Sequence, residues 1–261
     1  MVRLAIVNEK GGVGKTFLAC QLALYCALKL EKRVLVLDLD SQGNTTKCLS
    51  KQAVKSPFSM TELLVKKTLD ETKIGHEPFL VISADEELKG LERQGTQAHY
   101  AFIGNIFNNL RNYFSDYDIV IMDTNPNDDV RSNSALCLAT HVISPIELAQ
   151  ESIDGVAGIN KRIQQIKEVN PEINFIGLVP NRVESKEVQK EALREILLNF
   201  KSLLLVNENL QPVFFPSSTA ILEAQRDGIP LWNGKKSTFE KIWKKVEPNF
   251  QEILKRTGLI G

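Results

Sequence analysis

Apolar residues along this chain come in short, nearly unbroken runs, separated by longer stretches where they recur every three or four positions. "RLAIVN" (3–8), "RVLVLDLD" (33–40), "PFLVIS" (78–83), "DIVIMD" (118–123), "HVISPI" (141–146), "INFIGLV" (173–179) and "PVFF" (212–215) are β-branched and almost continuously apolar. Strands buried on both faces have this composition, as in a parallel sheet covered above and below by its crossover connections. Between them, 15–30, 97–114, 151–168, 185–199, 218–226 and 237–256 carry a helical pattern. The alternation predicts an α/β fold: a doubly wound, mostly parallel sheet with helices on both faces.

The stretch 44–77 is more polar and less regular, and it reads as an excursion carrying short helices. No Gly/Ser-rich or Pro-rich tract marks a boundary and no repeat is present, so one domain over 1–261 is expected. Composition changes this picture little. No apolar run approaches the roughly 20 residues of a membrane span. Cys20, Cys26, Cys48 and Cys137 lack metal-ligand spacing and read as reduced thiols of a cytoplasmic protein. "MVRLAIVNEK" runs straight into the first strand, leaving no room for a secretion signal. A formal net charge of zero neither names nor excludes nucleic acid as a partner.

The chemistry gathers where strands end. "GGVGKT" (11–16) follows one strand and opens a helix, the context of a phosphate-binding loop. Glycines let backbone N–H groups converge on phosphate oxygens, and the helix end adds its own N–H groups and positive dipole. Lys15 would reach β- and γ-phosphates, and the Thr16 hydroxyl would ligand Mg²⁺. Two other strands end in carboxylates, Asp38 and Asp40 on one and Asp123 on the other. In a parallel sheet such ends face the ligand crevice. Lys10, directly before the glycines, is a second cation that a phosphate loop does not require.

K-G-G-V-G-K-T, D-L-D-x-Q-G-N and a D-T-x-P strand end together resemble the ParA/MinD family of deviant Walker-A ATPases, nearest its ParA-type partition and cargo-positioning branch. The resemblance runs over roughly residues 2–256 and extends to 135–156 and "EAQRDGIPLW" (223–232). It implies an ATP- and Mg²⁺-binding protein that dimerises face to face around two nucleotides and hydrolyses ATP slowly when a partner stimulates it. Lys10 would then cross to the other subunit's phosphates, a cation supplied in trans as an arginine finger is. Gly11, Gly12, Val13, Gly14, Lys15, Thr16 and Phe17 would cradle the nucleotide, and Asn181 and Pro216 would bound the adenine. Asp40 would orient the attacking water, while Thr16, Asp38 and Asp123 would serve the metal.

Several positions depart from the family pattern. Phe17 stands where a hydroxyl is usual, Glu9 where an amide is common, Ser41 for a proline, and Asn125 within the usual D-T-P-P. The arginine-bearing segment of many DNA-binding relatives reads "PSSTAILEA" (216–224) here. Non-specific DNA binding, with nucleoid association, would therefore rest on Lys186, Lys190, Arg194 and a tail of eight Lys/Arg against four Asp/Glu over 225–261. Those residues read equally well as ordinary solvated side chains. Phe239, Ile242, Trp243, Val246, Phe250, Ile253 and Leu254 form an apolar stripe in the last helix. The stripe reads foremost as core; as a membrane-lying helix it would make the chain MinD-like, the alternative reading. A third is a nucleotide-binding scaffold without hydrolysis. The leading expectation is an ATP-dependent dimerisation switch that segregates DNA or positions another large cargo, released by a ParB-like or other small adaptor. The chain begins at the first strand, so no N-terminal helix-turn-helix extension is expected. Paired bridging cysteines and a terminal tyrosine cluster are lacking, which sets aside the iron–sulfur and tyrosine-kinase relatives.

Overall fold

A computed structural model describes residues 1–70, 75–149 and 152–261, with the side chains of Phe114 and of residues 152–154 left out. Parts of the expected excursion at 44–77, of the helix expected at 151–168 and of the quoted segment 135–156 lie outside the described residues.

Among the described residues seven strands form one sheet: β1 (Val2–Ile6), β2 (Val34–Asp38), β3 (Val54–Ser59), β4 (Phe79–Ser83), β5 (Ile119–Asp123), β6 (His141–Glu147) and β7 (Asn174–Asn181). Their order is β3-β4-β2-β5-β1-β6-β7, and every pairing is parallel. Alternate side chains go to opposite faces, so each central strand feeds two cores. Leu4, Ile6, Val34, Val36, Ile119 and Ile121 pack with α1 (Lys15–Leu24), α8 (Thr219–Asp227) and α9 (Ser237–Arg256). Ala5, Leu35, Leu37, Val120 and Met122 face the other way. There they meet α3 (Met60–Val65), α4 (Thr96–Leu110), α5 (Val130–Leu138), α6 (Ser152–Val169) and α7 (Glu187–Asn199).

Three elements differ from expectation. The excursion contains α2 (Asn44–Leu49) and α3 but also β3, an edge strand with half its residues exposed and a proline at 57. An edge tolerates the missing N–H of proline, and mixed exposure removes the continuous apolar signature. α5 was not expected, because "VRSNSALCL" is small and polar; Asp129 caps it by accepting from Arg131 N and Ser132 N. Conversely, 212–215 is not a strand. Val213 N and Phe215 N donate to Leu205 O and Pro180 O, but only isolated bridges form. Pro212 and Pro216 bracket the stretch and have no N–H to continue a ladder.

The apolar stripe of α9 is core. Phe239, Trp243, Val246, Phe250, Ile253 and Leu254 are all buried beneath the sheet, and Ile242 is half-buried against the same cluster, so the stripe is spent on the core. Among the described residues no helix is long and apolar enough to cross one.

Candidate functional site

The register of the central strands builds the site. Asp38 and Asp123, the last residues of β2 and β5, are direct partners across the sheet, and Ile6 at the end of β1 pairs with Asp123 from the other side. All three strands therefore deliver their C-terminal ends to one crevice, where the loop 7–14 also lies.

That loop is shaped by its glycines. Gly12 and Gly14 have φ of 77° and 104°, a left-handed backbone that a side chain would strain. A Cβ at Gly14 would lie 1.9 Å from Asn181 Nδ2, whereas one at Gly11 or Gly12 would meet nothing within 4 Å. The loop is thus packed from behind and open in front. No side chain caps α1, whose N-cap is Gly14, and its first turn holds no acid. The first N–H groups of the helix consequently face the cavity without a side-chain acceptor, the arrangement that suits a phosphate.

Lys15 is almost fully buried and donates to Asn8 O at 2.8 Å and Lys10 O at 3.1 Å. Burial lowers its pKa, an effect opposed by Asp123 and Asp40. Thr16 Oγ1 and Thr45 Oγ1 both donate to Asp123 Oδ2, at 2.8 and 2.7 Å. The other oxygen, Asp123 Oδ1, is buried with no hydrogen-bond partner. Burial first, and then the charge of Asp38, pushes Asp123 up to about 7, while both threonines pull it down. Asp38 is pushed up to about 6 by burial, and its hydrogen bonds from Thr46 and Asp40 oppose the shift. Its carboxylate is already occupied by Thr46 N (2.8 Å), Thr46 Oγ1 (2.7 Å) and Asp40 N (3.3 Å).

These oxygens fit Mg²⁺, a hard cation that is bound through one or two protein groups together with phosphate and water. The orphaned Asp123 oxygen and the Thr16 hydroxyl are the first candidates, with Asp38 acting behind them on α2. No cluster of three or more His, Cys, Asp or Glu able to hold an ion alone occurs among the described residues.

Two adjoining cavities follow the loop. One of about 190 Å³ is lined by Gly11, Gly12, Gly14, Lys15, Thr16 and Asp40, with Asn44, Pro126, Arg182 and Gln225 completing it. The other, about 290 Å³, is bounded by Phe17, Asn181, Pro216 and Ile221 and shares Gly14, Arg182 and Gln225 with the first. The pair has the division a nucleotide needs, a polar compartment for phosphates and a more apolar one for a base. Asn181 Nδ2 donates to Val13 O at 2.8 Å, so this side chain braces the loop as well as lining the second cavity. Val13 is buried. The Phe17 ring turns into the core against Phe215, centroids 5.5 Å apart, leaving its backbone N–H as its only donor.

Lys10 is exposed, lines neither cavity of its own subunit, and keeps its backbone tied to Asn8 Oδ1 at 2.8 Å. Glu9 does not line the phosphate cavity and faces Arg162 Nη1 of α6 at 3.6 Å, and Arg162 Nη2 also meets Asp128 Oδ1 at 3.0 Å. Thr45, Thr46, Arg182 and Gln225 belong to the site and were missed in the sequence. The threonines directly follow D-S-Q-G-N, a cue that was available, and Gln225 lies within the quoted segment 223–232, which singled out no residue; Arg182 offered no cue.

The proposed basic surface is largely paired. Lys186 meets Glu184 (2.6 Å), Lys190 meets Glu187 (3.0 Å), Lys236 meets Glu223 (2.7 Å) and Lys244 meets Glu240 (2.6 Å).

Comparison with known proteins agrees with this geometry. A family model described as "AAA domain" matches residues 1–175. Protein IncC of Escherichia coli is 30% identical over 251 residues, covering 94% of this chain and 67% of that protein. The chromosome-partitioning ATPase Soj of Thermus thermophilus is 32% identical over 180 residues, 68% of each chain. Among solved structures, a substituted McdA from Cyanothece in complex with ATP superposes with a TM-score of 0.77 at 18% identity, over 100% of this chain and 98% of that one. A putative plasmid partition protein from Borrelia burgdorferi bound to AMPPNP gives 0.68 at 19%, over 98% and 99%. At these identities the two structures speak for the fold.

Proposed function

The chain belongs to the ParA/MinD family of deviant Walker-A ATPases, and on that premise we propose that it is a Mg²⁺-dependent ATPase working as a dimerisation switch in partition or cargo positioning. The observation that carries the switch is the opposite use of two lysines five residues apart. Lys15 is folded into the phosphate cavity, whereas Lys10 is exposed beside it and lines neither cavity of its own subunit. A cation so placed serves a neighbouring subunit better than its own.

In this reading the glycine loop and the first turn of α1 bind phosphates, Asn181 and Pro216 bound the base, and Lys15 leaves its two carbonyl acceptors for phosphate oxygens. Mg²⁺, when bound, would neutralise phosphate charge at Thr16 and Asp123. Asp40, in the wall of the phosphate cavity, would hold the attacking water. Lys10 of a second copy would stabilise charge developing on the transferred phosphoryl group, so that hydrolysis waits for assembly. The relative Soj, a chromosome-partitioning ATPase, supports DNA as the cargo or surface, and a ParB-like or other small adaptor would be the stimulating partner. The buried stripe of α9 speaks against the membrane alternative.

The test is titration with ATP in Mg²⁺ and in EDTA, joined to light scattering and turnover. Expected are Mg²⁺-dependent binding, a dimer with ATP and a monomer with ADP. Lys10→Ala should retain binding while losing turnover. A Lys10→Ala protein with wild-type turnover would overturn the switch.

A further inference from the structure

Two of the departures noted in the sequence, Ser41 and Asn125, turn out to be joined. Neither has a ring to fix φ, and each sits on a loop that flanks the phosphate cavity, one following Asp40 and the other two residues beyond Asp123. Asn125 Nδ2 donates to Asp129 Oδ2 at 2.6 Å, and Asn125 Oδ1 accepts from Ser132 Oγ at 2.8 Å. Asp129 Oδ2 also accepts from Arg131 Nε at 2.9 Å and from Nη2. The remaining arm, Arg131 Nη1, reaches across to Ser41 Oγ at 3.3 Å. Asn125, Asp129 and Arg131 are all buried, at 3%, 4% and 6% exposure.

We infer that Arg131 is a positioning residue for the proposed hydrolysis: it ties the Asp40 loop to the loop after β5, and so fixes Asp40 relative to Asp123. The guanidinium suits this because its planar fork serves Asp129 and Ser41 at once, whereas an ammonium has no such fixed geometry. Ring stiffness at two separate places is replaced by one shared side-chain link. Asp40 itself is held by a local turn in which its Oδ1 accepts from Gln42 N at 3.0 Å. Moving Ser41 would therefore carry the whole Asp40–Gln42 turn with it. The inference rests on the ATPase reading above, yet the tie between loops can be measured without turnover.

The experiment compares Ser41→Ala and Arg131→Lys with the wild-type chain in MgATP affinity, kcat, melting temperature and amide exchange over residues 40–43. Ser41→Ala leaves the Arg131–Asp129 pair intact. It should lower kcat roughly three- to tenfold, with affinity within about twofold and an unchanged melting temperature. Arg131→Lys should lower kcat by at least as much, and the double variant should fall no further than Arg131→Lys alone. Exchange over 40–43 should accelerate in both single variants. Wild-type kcat in both would overturn the inference, as would losses that multiply in the double variant. A fall of kcat, affinity and melting temperature together would leave Arg131 merely structural and overturn it too. A wild-type chain that binds no MgATP would overturn the ATPase reading, whereas exchange unchanged in both variants would sink the loop tie by itself.

Discussion

The two ends of α1 are built on opposite principles. Its N-terminal end is polar and incomplete: a left-handed Gly14 at the cap, no capping side chain, a buried Lys15, and Asp123 with an unpartnered oxygen close by. The rest of the helix is dry and crowded. Phe17, inside the first turn, meets Phe215 and Phe250 at centroid separations of 5.5 and 6.5 Å, and Tyr25, directly after the last residue, meets Trp232, Trp243 and Phe250 at 5.5 to 6.1 Å. Every residue of α1 except Thr16 is buried. The contrast shows how a helix terminus that is unfavourable by itself stays in place, since apolar packing along the rest of α1 holds polar groups where a ligand will satisfy them. Function and stability are thus held side by side on one ten-residue helix, and Phe17 is where they meet, its ring packed on Phe215 while it bounds the second cavity.

The largest effect should come from the dry end. Phe250 is fully buried and touches Phe17, Tyr25, Phe215 and Trp243. Phe250→Ala should destabilise by about 4 kcal/mol, from lost burial plus the cavity left behind. Urea denaturation measures this, and titration of the folded fraction should return near-normal MgATP affinity. A large loss of affinity in the folded fraction would show that the two ends are not separable.

Next is a substitution at the wet end that should strengthen the fold. Asp123 is raised to about 7 by burial and by Asp38, so the folded state holds its proton more tightly than the unfolded chain does. Its stabilising contribution is present below the unfolded pKa of about 4 and is lost as pH rises through about 7. Asp123→Asn keeps an acceptor for Thr16 and Thr45 and removes the titration. The difference in nucleotide-free stability between variant and wild type should be small at pH 4 and reach on the order of 4 kcal/mol in favour of the variant at pH 8. Titrating groups that do not interact with Asp123 cancel in that difference, whereas Lys15 and Asp38, which do, modulate its size. Mg²⁺-dependent binding should disappear in the variant. A pH-independent difference would mean that Asp123 stays charged throughout.

Gly14→Ala probes the junction of the two ends. At φ of 104°, with Asn181 Nδ2 only 1.9 Å from the added methyl, the variant must shift either the loop or Asn181. A loss of about 2 kcal/mol is expected from backbone strain alone. Affinity should fall as well, because Asn181 serves both loop and cavity. Thermal melts with and without MgATP would separate the two losses.

The same contrast explains what could be read from the sequence. The central strands β1, β2 and β5 were legible because burial on both faces makes them continuously apolar, and their ends mark the crevice. Lys15, Thr16, Asp38, Asp40 and Asp123 were legible because each sits on a strand end or in a motif of fixed spacing. β3 and α5 were not, being an exposed edge and a small-residue helix whose register depends on neighbours. Arg131 and Ser41 are 90 positions apart, and Arg162 and Glu9 meet only because α6 crosses the loop. No local pattern encodes such pairs. The run "PVFF" was legible as apolar but not as irregular, since the flanking prolines act through hydrogen bonds that apolarity does not report.

The smallest effect concerns the outer surface, which belongs to neither end of α1. Lys190 and Lys244 pair with Glu187 and Glu240 on exposed helix faces, and such pairs contribute less than about 1 kcal/mol. Lys190→Ala and Lys244→Ala should therefore each change stability by under ~0.5 kcal/mol, within the error of most melts. Their value lies in DNA retention. A phosphate can displace a carboxylate that holds its lysine so weakly, and each lysine then engaged adds about one to the slope of log affinity against log salt. If the ATP-bound chain rides on DNA through this surface, each substitution should flatten that slope by roughly one while leaving ATP turnover in the absence of DNA unchanged. An unaltered slope in both variants would place the DNA contact elsewhere, because a lysine that releases no counterion on binding cannot be touching a phosphate.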